Sequence, residues 1–233
     1  MKFVFYSHFD YSDIWPVLFG QCEKYLDKYE KVLFTNEGSA PKGWEVITYD
    51  DALPYQQRVT SCLDQLEEEV IVFNHEDMIP YSSVDCDKLK DFHKLVQEDE
   101  VQFIKLLRGG YTDELLLSEY HPNLLECSPP MIFTIQPTIC KVEHLLSMYK
   151  ETPGNSIWEF ESQTALTAIK NSYKGCMAYK EGDPKRGMHY WDSSIYPYIA
   201  TAIVKGKWYT SDYPELVSML KDYNIEVSLR GEG

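Results

Sequence analysis

Apolar positions in this chain fall in short bursts whose spacing switches between strand-like and helix-like periods, and the order of the switches predicts an architecture. Phe3–Tyr6 is a compact apolar run of strand length. Ser12 then precedes a stretch in which Ile14, Leu18, Cys22, Tyr25 and Leu26 share one helical face. Lys31–Thr35 reads as a second strand, ended by Asn36-Glu37-Gly38, and Glu45–Tyr49 as a third. Val59, Cys62, Leu63 and Leu66 mark a helix from Tyr55 to Glu68. A strand from Val70, a helix around Lys88–Gln97 and a strand around Val101–Leu107 follow. This rhythm over the first 110 residues argues for an α/β fold, with a mostly parallel central sheet flanked by helices.

The second half is less regular. Met131–Ile135 has strand character, Val142–Tyr149 reads as a short helix and Asn155–Ile169 as a longer one. Lys174–Trp191, rich in Gly, Lys and aromatic residues, reads as a long exposed loop or hairpin. Ile199–Val204 and a helix around Pro214–Tyr223 close the pattern. No internal repeat or low-complexity linker interrupts it, so a single domain is the simplest organisation.

The strand from Val70 stops abruptly at Glu76-Asp77. Carboxylates at the end of a buried strand are costly to desolvate unless they meet something positive, and in open α/β sheets that end is where ligands collect. A metal or sugar-nucleotide site and a solvated acidic turn both fit the spacing. Mg2+ and Mn2+ prefer oxygen ligands and often bind through one or two carboxylates plus substrate phosphates. Asp77 is the preferred ligand, since Glu76 would face the opposite side if the strand continued. His75 reads as a packing residue.

Charge narrows the partners. With 37 Asp and Glu against 22 Lys and Arg, the 233-residue chain carries a formal charge of −15. Such a surface repels phosphate backbones and anionic lipid, which argues against nucleic acid and membrane partners. Acid-rich stretches such as Glu67-Glu68-Glu69 read as solvated helix ends. Aromatic residues make up 14% of the chain, with 18 Tyr, enough to supply stacking walls for bases or sugars. The six cysteines show no CxxC and no zinc spacing, so reduced core thiols are expected. The N-terminus lacks a signal peptide's apolar region, and no apolar run approaches the roughly 20 residues that span a bilayer. A cytoplasmic protein is the expectation.

Downstream, Ser156 and Glu159 have capping-box spacing. Glu161, in the same first turn beside Trp158 and Phe160, has no such structural duty and is the stronger candidate for a carboxylate base. Arg58 could meet a phosphate or make a surface ion pair, and His189 lies in the aromatic loop. No GxSxG, Walker A, GxGxxG or HExxH pattern is present.

Four segments together resemble GT-A type glycosyltransferases, in particular small viral and bacterial members. They are Tyr6-Ser7-His8-Phe9-Asp10-Tyr11-Ser12-Asp13-Ile14-Trp15, Asn74-His75-Glu76-Asp77-Met78, Ile135-Gln136-Pro137-Thr138-Ile139 and Trp158-Glu159-Phe160-Glu161. The resemblance implies a single GT-A-like (Rossmann-like) domain with a nucleotide-sugar half in 1–110 and an acceptor half in 111–233. It also implies transfer of a sugar from a nucleotide donor, a UDP-sugar for preference, to an acceptor hydroxyl with inversion, assisted by Mn2+ or Mg2+. Glu76-Asp77 takes the place of the family's Asp-x-Asp motif, whose first acid is replaced here by Asn74 or His75. On this resemblance Ser7, Asp10, Tyr11, Arg58, Glu76 and Gln136 would hold the donor, and Asp77 the cation. Glu161 or Glu159 would be the base, with Trp158 and His189 facing a glycan or other hydroxyl acceptor. Two alternatives stay open: a sugar-phosphate nucleotidyltransferase, which normally carries a Gly-rich basic loop where this chain has Ser7-His8-Phe9-Asp10, and a non-catalytic nucleotide- or sugar-binding module.

Overall fold

In the computed structural model, which describes residues 1–110, 115–154 and 156–233, the chain runs β1 (Lys2–Tyr6), α1 (Trp15–Tyr25), β2 (Lys31–Thr35), β3 (Trp44–Thr48), α2 (Tyr55–Leu63), β4 (Val70–His75) and α3 (Cys86–Gln97). It continues through β5 (Phe103–Lys105), β6 (Leu124–Glu126), α4 (Pro129–Ile132), β7 (Thr138–Lys141), α5 (Val142–Glu151), α6 (Ile157–Lys170) and β8 (Gly175–Ala178). Two small hairpins, β9 (Lys185–Arg186) with β10 (Tyr190–Trp191) and β11 (Ile203–Val204) with β12 (Lys207–Trp208), precede α7 (Pro214–Asp222).

Strands β1 to β8 form one sheet in the order β3-β2-β1-β4-β7-β5-β8-β6. The pairs β3-β2, β2-β1, β1-β4 and β5-β8 are parallel. Strand β7 runs antiparallel to both neighbours, as β6 does to β8. The period-two pattern assigns each strand's side chains to opposite layers. Phe3 and Phe5 of β1, with Val70 and Val72 of β4, pack under α1, α3 and α7. Val4, Tyr6, Ile71 and Phe73 pack under α2, α5 and α6. The fold is therefore a helix-covered, mostly parallel α/β sheet, as the first half of the sequence suggests. No helix among the described residues is long and apolar enough to cross a membrane.

The structure departs from the sequence reading in the second half. Met131–Ile135 is not a strand: Ser128 precedes a short helix whose first positions are Pro129 and Pro130, which are preset for a helical first turn. The strand begins only at Thr138, after Pro137, which cannot donate to a ladder. Lys174–Trp191 is not one loop, because Gly175–Ala178 is an interior strand. A Cβ on Gly175 would lie 2.8 Å from the Ile132 Cα, so glycine there marks close backbone approach rather than a loop. Helix α2 stops at Leu63, short of Glu67-Glu68-Glu69, where three acids at a helix C-terminus would oppose its dipole. The expected start of the longer helix, Asn155, lies outside the described residues; the helix runs from Ile157. Of Ile199–Val204 only Ile203–Val204 form a strand, paired with β12. The overlapping stretch Ile195–Ala202 is almost wholly buried and hydrogen-bonds along residues 77–85, through Asp85 N–Ile195 O, Tyr81 N–Pro197 O, Ile199 N–Ile79 O and Ala202 N–Asp77 O.

Candidate active site

The strand order reverses direction beside β1 and β4, the switch point at which open α/β sheets form a ligand crevice beyond their carboxyl ends. Glu76 and Asp77 lie there. Strand pairing ends at His75, so the alternation that would separate the two acids does not continue. Glu76 donates its amide to the Tyr6 carbonyl at 3.1 Å. Its carboxyl is buried, with Oε2 lacking a hydrogen-bond partner. Burial pushes this carboxyl well above the usual range, Asp77 reinforces the shift, and Arg230 opposes it. Asp77 is half-buried and accepts the Thr201 hydroxyl at 2.8 Å. Burial raises its pKa as well, with the Thr201 bond working against the rise. Adjacent carboxyls with an orphaned oxygen suit a hard divalent cation that completes its shell with phosphate and water, so Glu76 joins Asp77 as a candidate ligand.

Around this pair most polar candidates are occupied by the fold itself. The Ser7 hydroxyl is buried and accepts Trp15 Nε1 at 2.8 Å, and its carbonyl accepts the Tyr49 hydroxyl at 2.9 Å. Arg58 turns back onto the Leu53 carbonyl (2.6 Å) and the Asp51 carboxylate (2.9 Å). Asp10 is largely exposed and pairs with His8 at 3.4 Å. His75 is held neutral, with burial bringing its pKa to about 3, and it shares a 3.1 Å hydrogen bond with Tyr55. Tyr11 stands beside the acids: Glu76 and Asp77 both add to the burial that raises its pKa. Arg230, absent from the sequence reading, covers the Tyr11 ring at 4.8 Å while gripping Asp13 through two 2.6 Å bonds. Only the fold brings it there, from more than 200 residues away.

A cavity of about 390 Å3, not lined by either acid, opens past the end of β5 and the start of β7. Gln136, Trp158, Glu161 and His189 all line it, together with Lys105, Thr134 and Tyr190. Glu161 is fixed by the Ile135 amide, which donates to Oε1 at 2.7 Å. Glu159 does not line the cavity. It is exposed, and its amide donates to the Ser156 cap at 3.3 Å. Trp158 is 77% exposed at the cavity rim. His189 and Tyr190 come from the β9–β10 hairpin, which is tied to the turn after β5 by Gly110 N–His189 O (2.9 Å) and Trp191 N–Arg108 O (3.1 Å). Tyr198 links the cavity to the acidic pair: it donates to Gln136 Oε1 at 2.6 Å, and Asp77 is among the charges acting on it. Asp77 acts on Tyr190 too, where burial is the main cause of a pKa near 12.

Lys105 is the residue that sequence reasoning passed over. It is 1% exposed, and its ammonium nitrogen has no hydrogen-bond partner. Burial lowers its pKa, with Cys127 and Glu161 pulling the other way. The available signal is a lysine set inside the apolar run Val101–Leu107. Elsewhere, among the described residues, three possible metal ligands converge only at Asp99, Glu143 and His144. That cluster sits at the opposite edge of the sheet, where Asp99 is already bound by Lys141 (2.5 Å) and His144 (2.8 Å).

Comparisons with known proteins add little to this geometry. No family model matches the chain, and no curated protein matches its sequence. Among solved structures, the bifunctional IspDF from Campylobacter jejuni is similar at a TM-score of 0.46 and 9% identity, over 78% of this chain. This chain spans about half (50%) of the length of that one. A likeness that slight carries no functional argument.

Proposed function

We propose that this protein is a transferase that takes a group from a nucleotide-linked donor at the β1–β4 edge and delivers it to an acceptor in the Glu161 cavity. The observation that supports this reading is the placing of two carboxylate stations at the carboxyl ends of the parallel strands: Glu76-Asp77 after β4, and Glu161 in the cavity that Lys105 of β5 also lines. In its glycosyl-transfer form, a Mg2+ or Mn2+ held by Asp77 and Glu76 would neutralise charge on the leaving diphosphate. Tyr11 and Arg230 would flank the donor. Glu161, oriented by the Ile135 amide, would take the proton of the acceptor hydroxyl as it attacks the anomeric carbon in line. Trp158 would stack on the acceptor ring, and the tethered β9–β10 hairpin would limit water entry and donor hydrolysis. On this reading residues 1–110 carry most of the donor half and 111–233 most of the acceptor half, with Lys105 serving across the division.

A second form, nucleotidyl transfer onto a sugar phosphate, uses the same edge and the same cation. Lys105 favours it, because a buried amine in the acceptor cavity suits a phosphorylated acceptor. The residues after β1 count against it: Phe9–Tyr11 form a short 3-10 turn in place of a Gly-rich basic loop. Product analysis separates the forms. Incubation with Mn2+, nucleotide sugars and glycan acceptors yields nucleoside diphosphate under glycosyl transfer. Nucleoside triphosphates with sugar phosphates yield pyrophosphate under nucleotidyl transfer. Saturable nucleotide binding with neither product would identify a binding module.

A further inference from the structure

The Glu161 cavity contains a charge problem that the transfer chemistry above does not solve. Lys105 ends β5, an interior strand between β7 and β8, and its side chain is 1% exposed. A buried lysine normally repays its desolvation by pairing with an acid. Here the ammonium nitrogen makes no hydrogen bond, and the nearby Glu161 carboxylate spends Oε1 on the Ile135 amide. Yet the lysine borders an open space of about 390 Å3. Keeping an unpaired amine in a cavity wall costs stability, and an apolar residue of the same length would avoid that cost. Four rotatable side-chain bonds let the ammonium swing toward an occupant.

We propose that the cavity is an anion subsite: Lys105 binds a phosphate or carboxylate carried by the acceptor, with Thr134 and Tyr190 as further hydroxyl donors from the cavity wall. This deepens the transferase reading by naming the acceptor class, a charged sugar rather than a neutral one. Glu161 then faces the acceptor's hydroxyl end while Lys105 holds its charged end. The arrangement selects orientation as well as composition, because an acceptor bound the other way would set its anion against a carboxylate.

The test is calorimetric titration of the whole protein with inorganic phosphate, glucose 6-phosphate, glucuronate and glucose, without nucleotide or metal. The expected result is saturable binding of glucose 6-phosphate or glucuronate, whichever names the anion, with glucose about tenfold weaker or more. Lys105→Met should abolish that preference and raise the melting temperature of the unliganded protein, since it removes an unpaired buried amine. Lys105→Gln, which keeps a polar donor, should retain part of the affinity. Equal binding of glucose and the charged sugars, or unchanged anion affinity in both variants, would overturn the proposal. So would a fall in melting temperature for Lys105→Met, which would mean that the amine has a structural partner. The two readings fail separately: anion binding without any transfer product sinks the transferase reading alone, and transfer to neutral acceptors without anion binding sinks this one alone.

Discussion

The two ends of the candidate site make the same sacrifice with opposite sign. At the β1–β4 edge, Glu76 keeps a buried carboxyl oxygen without a partner; at the end of β5, Lys105 keeps a buried amine without one. Their surroundings differ. Near Glu76 almost every polar neighbour is consumed internally: Ser7 by Trp15, Arg58 by Asp51 and Leu53, and Arg230 by Asp13. Around Lys105 there is open volume bounded by Gln136, Glu161, His189 and Tyr190. The contrast teaches that a residue's availability, rather than its chemical type, marks it for ligand work. Ser7 and Arg58 have suitable side chains already engaged by the fold, whereas Glu76 and Lys105 have unused capacity.

The comparison can be broken most sharply at Glu161. Glu161→Gln keeps the acceptor for the Ile135 amide but loses the base, so turnover with the preferred donor should fall about 10²–10⁴-fold. Glu159→Gln, on the exposed side of the same helix turn, should leave it within about twofold. Steady-state rates of both variants decide the matter, and normal turnover in Glu161→Gln would remove the base from this cavity.

Acid titration probes the other edge. The folded-state pKa of His75 is depressed to about 3, so its neutral form contributes stability that is full above about pH 6.5 and is lost as pH falls toward 3. The slope approaches about 1.4 kcal/mol per pH unit inside that window. Urea midpoints at pH 7 and pH 4 should fall further apart for the native chain than for His75→Phe. Equal spacing would mean that the imidazole titrates freely.

Glu76 has the reverse sign. Its folded-state pKa is raised, so its contribution is full below the unfolded value near 4.5 and fades as pH rises through the folded value. Glu76→Gln should therefore stabilise the metal-free protein at pH 7.5 by roughly 1–3 kcal/mol and abolish the thermal shift given by Mn2+. A Mn2+ shift that survives the substitution would leave Asp77 as the ligand without Glu76. The smallest effect belongs to Ser156→Ala, which removes the α6 cap at a cost of about 1 kcal/mol. Turnover should be unaltered, as a melting curve and a rate measurement together would show.

The first half of the sheet was legible because β1, β2 and β4 are short, mostly apolar runs bounded by turn residues, and sequence neighbours such as β1, β2 and β3 pair in space. Lys31–Thr35 is read from the sequence with the bounds the structure shows. Strand β7 was missed because Pro129, Pro130 and Pro137 break its flanks into fragments, and β8 because Gly175 resembles a loop residue. At the site, individual acids could be picked out at a strand end and a helix start, since both positions carry physical reasons for a carboxylate. What one-dimensional reasoning could not supply was company. Nothing near Arg230 in sequence points to Tyr11, and nothing near Lys105 shows that its amine would be left alone. Likewise, nothing in one dimension shows that Glu161 borders a cavity while Glu159 does not.

Strand β7 carries a consequence of its own. It runs against its neighbours and stands between β4, which leads into Glu76-Asp77, and β5, which ends at Lys105. Two inter-strand steps separate those strands, about 10 Å, and hydrogen-bonded ladders on both sides keep the interval from flexing. On the transferase reading the sheet then works as a ruler. The interval sets the span that a substrate pair must bridge from the leaving phosphate to the acceptor's anion, to within the swing of the Lys105 side chain, so a coarse selectivity for length would be written into the backbone, while selectivity for the sugar itself stays with the side chains around it.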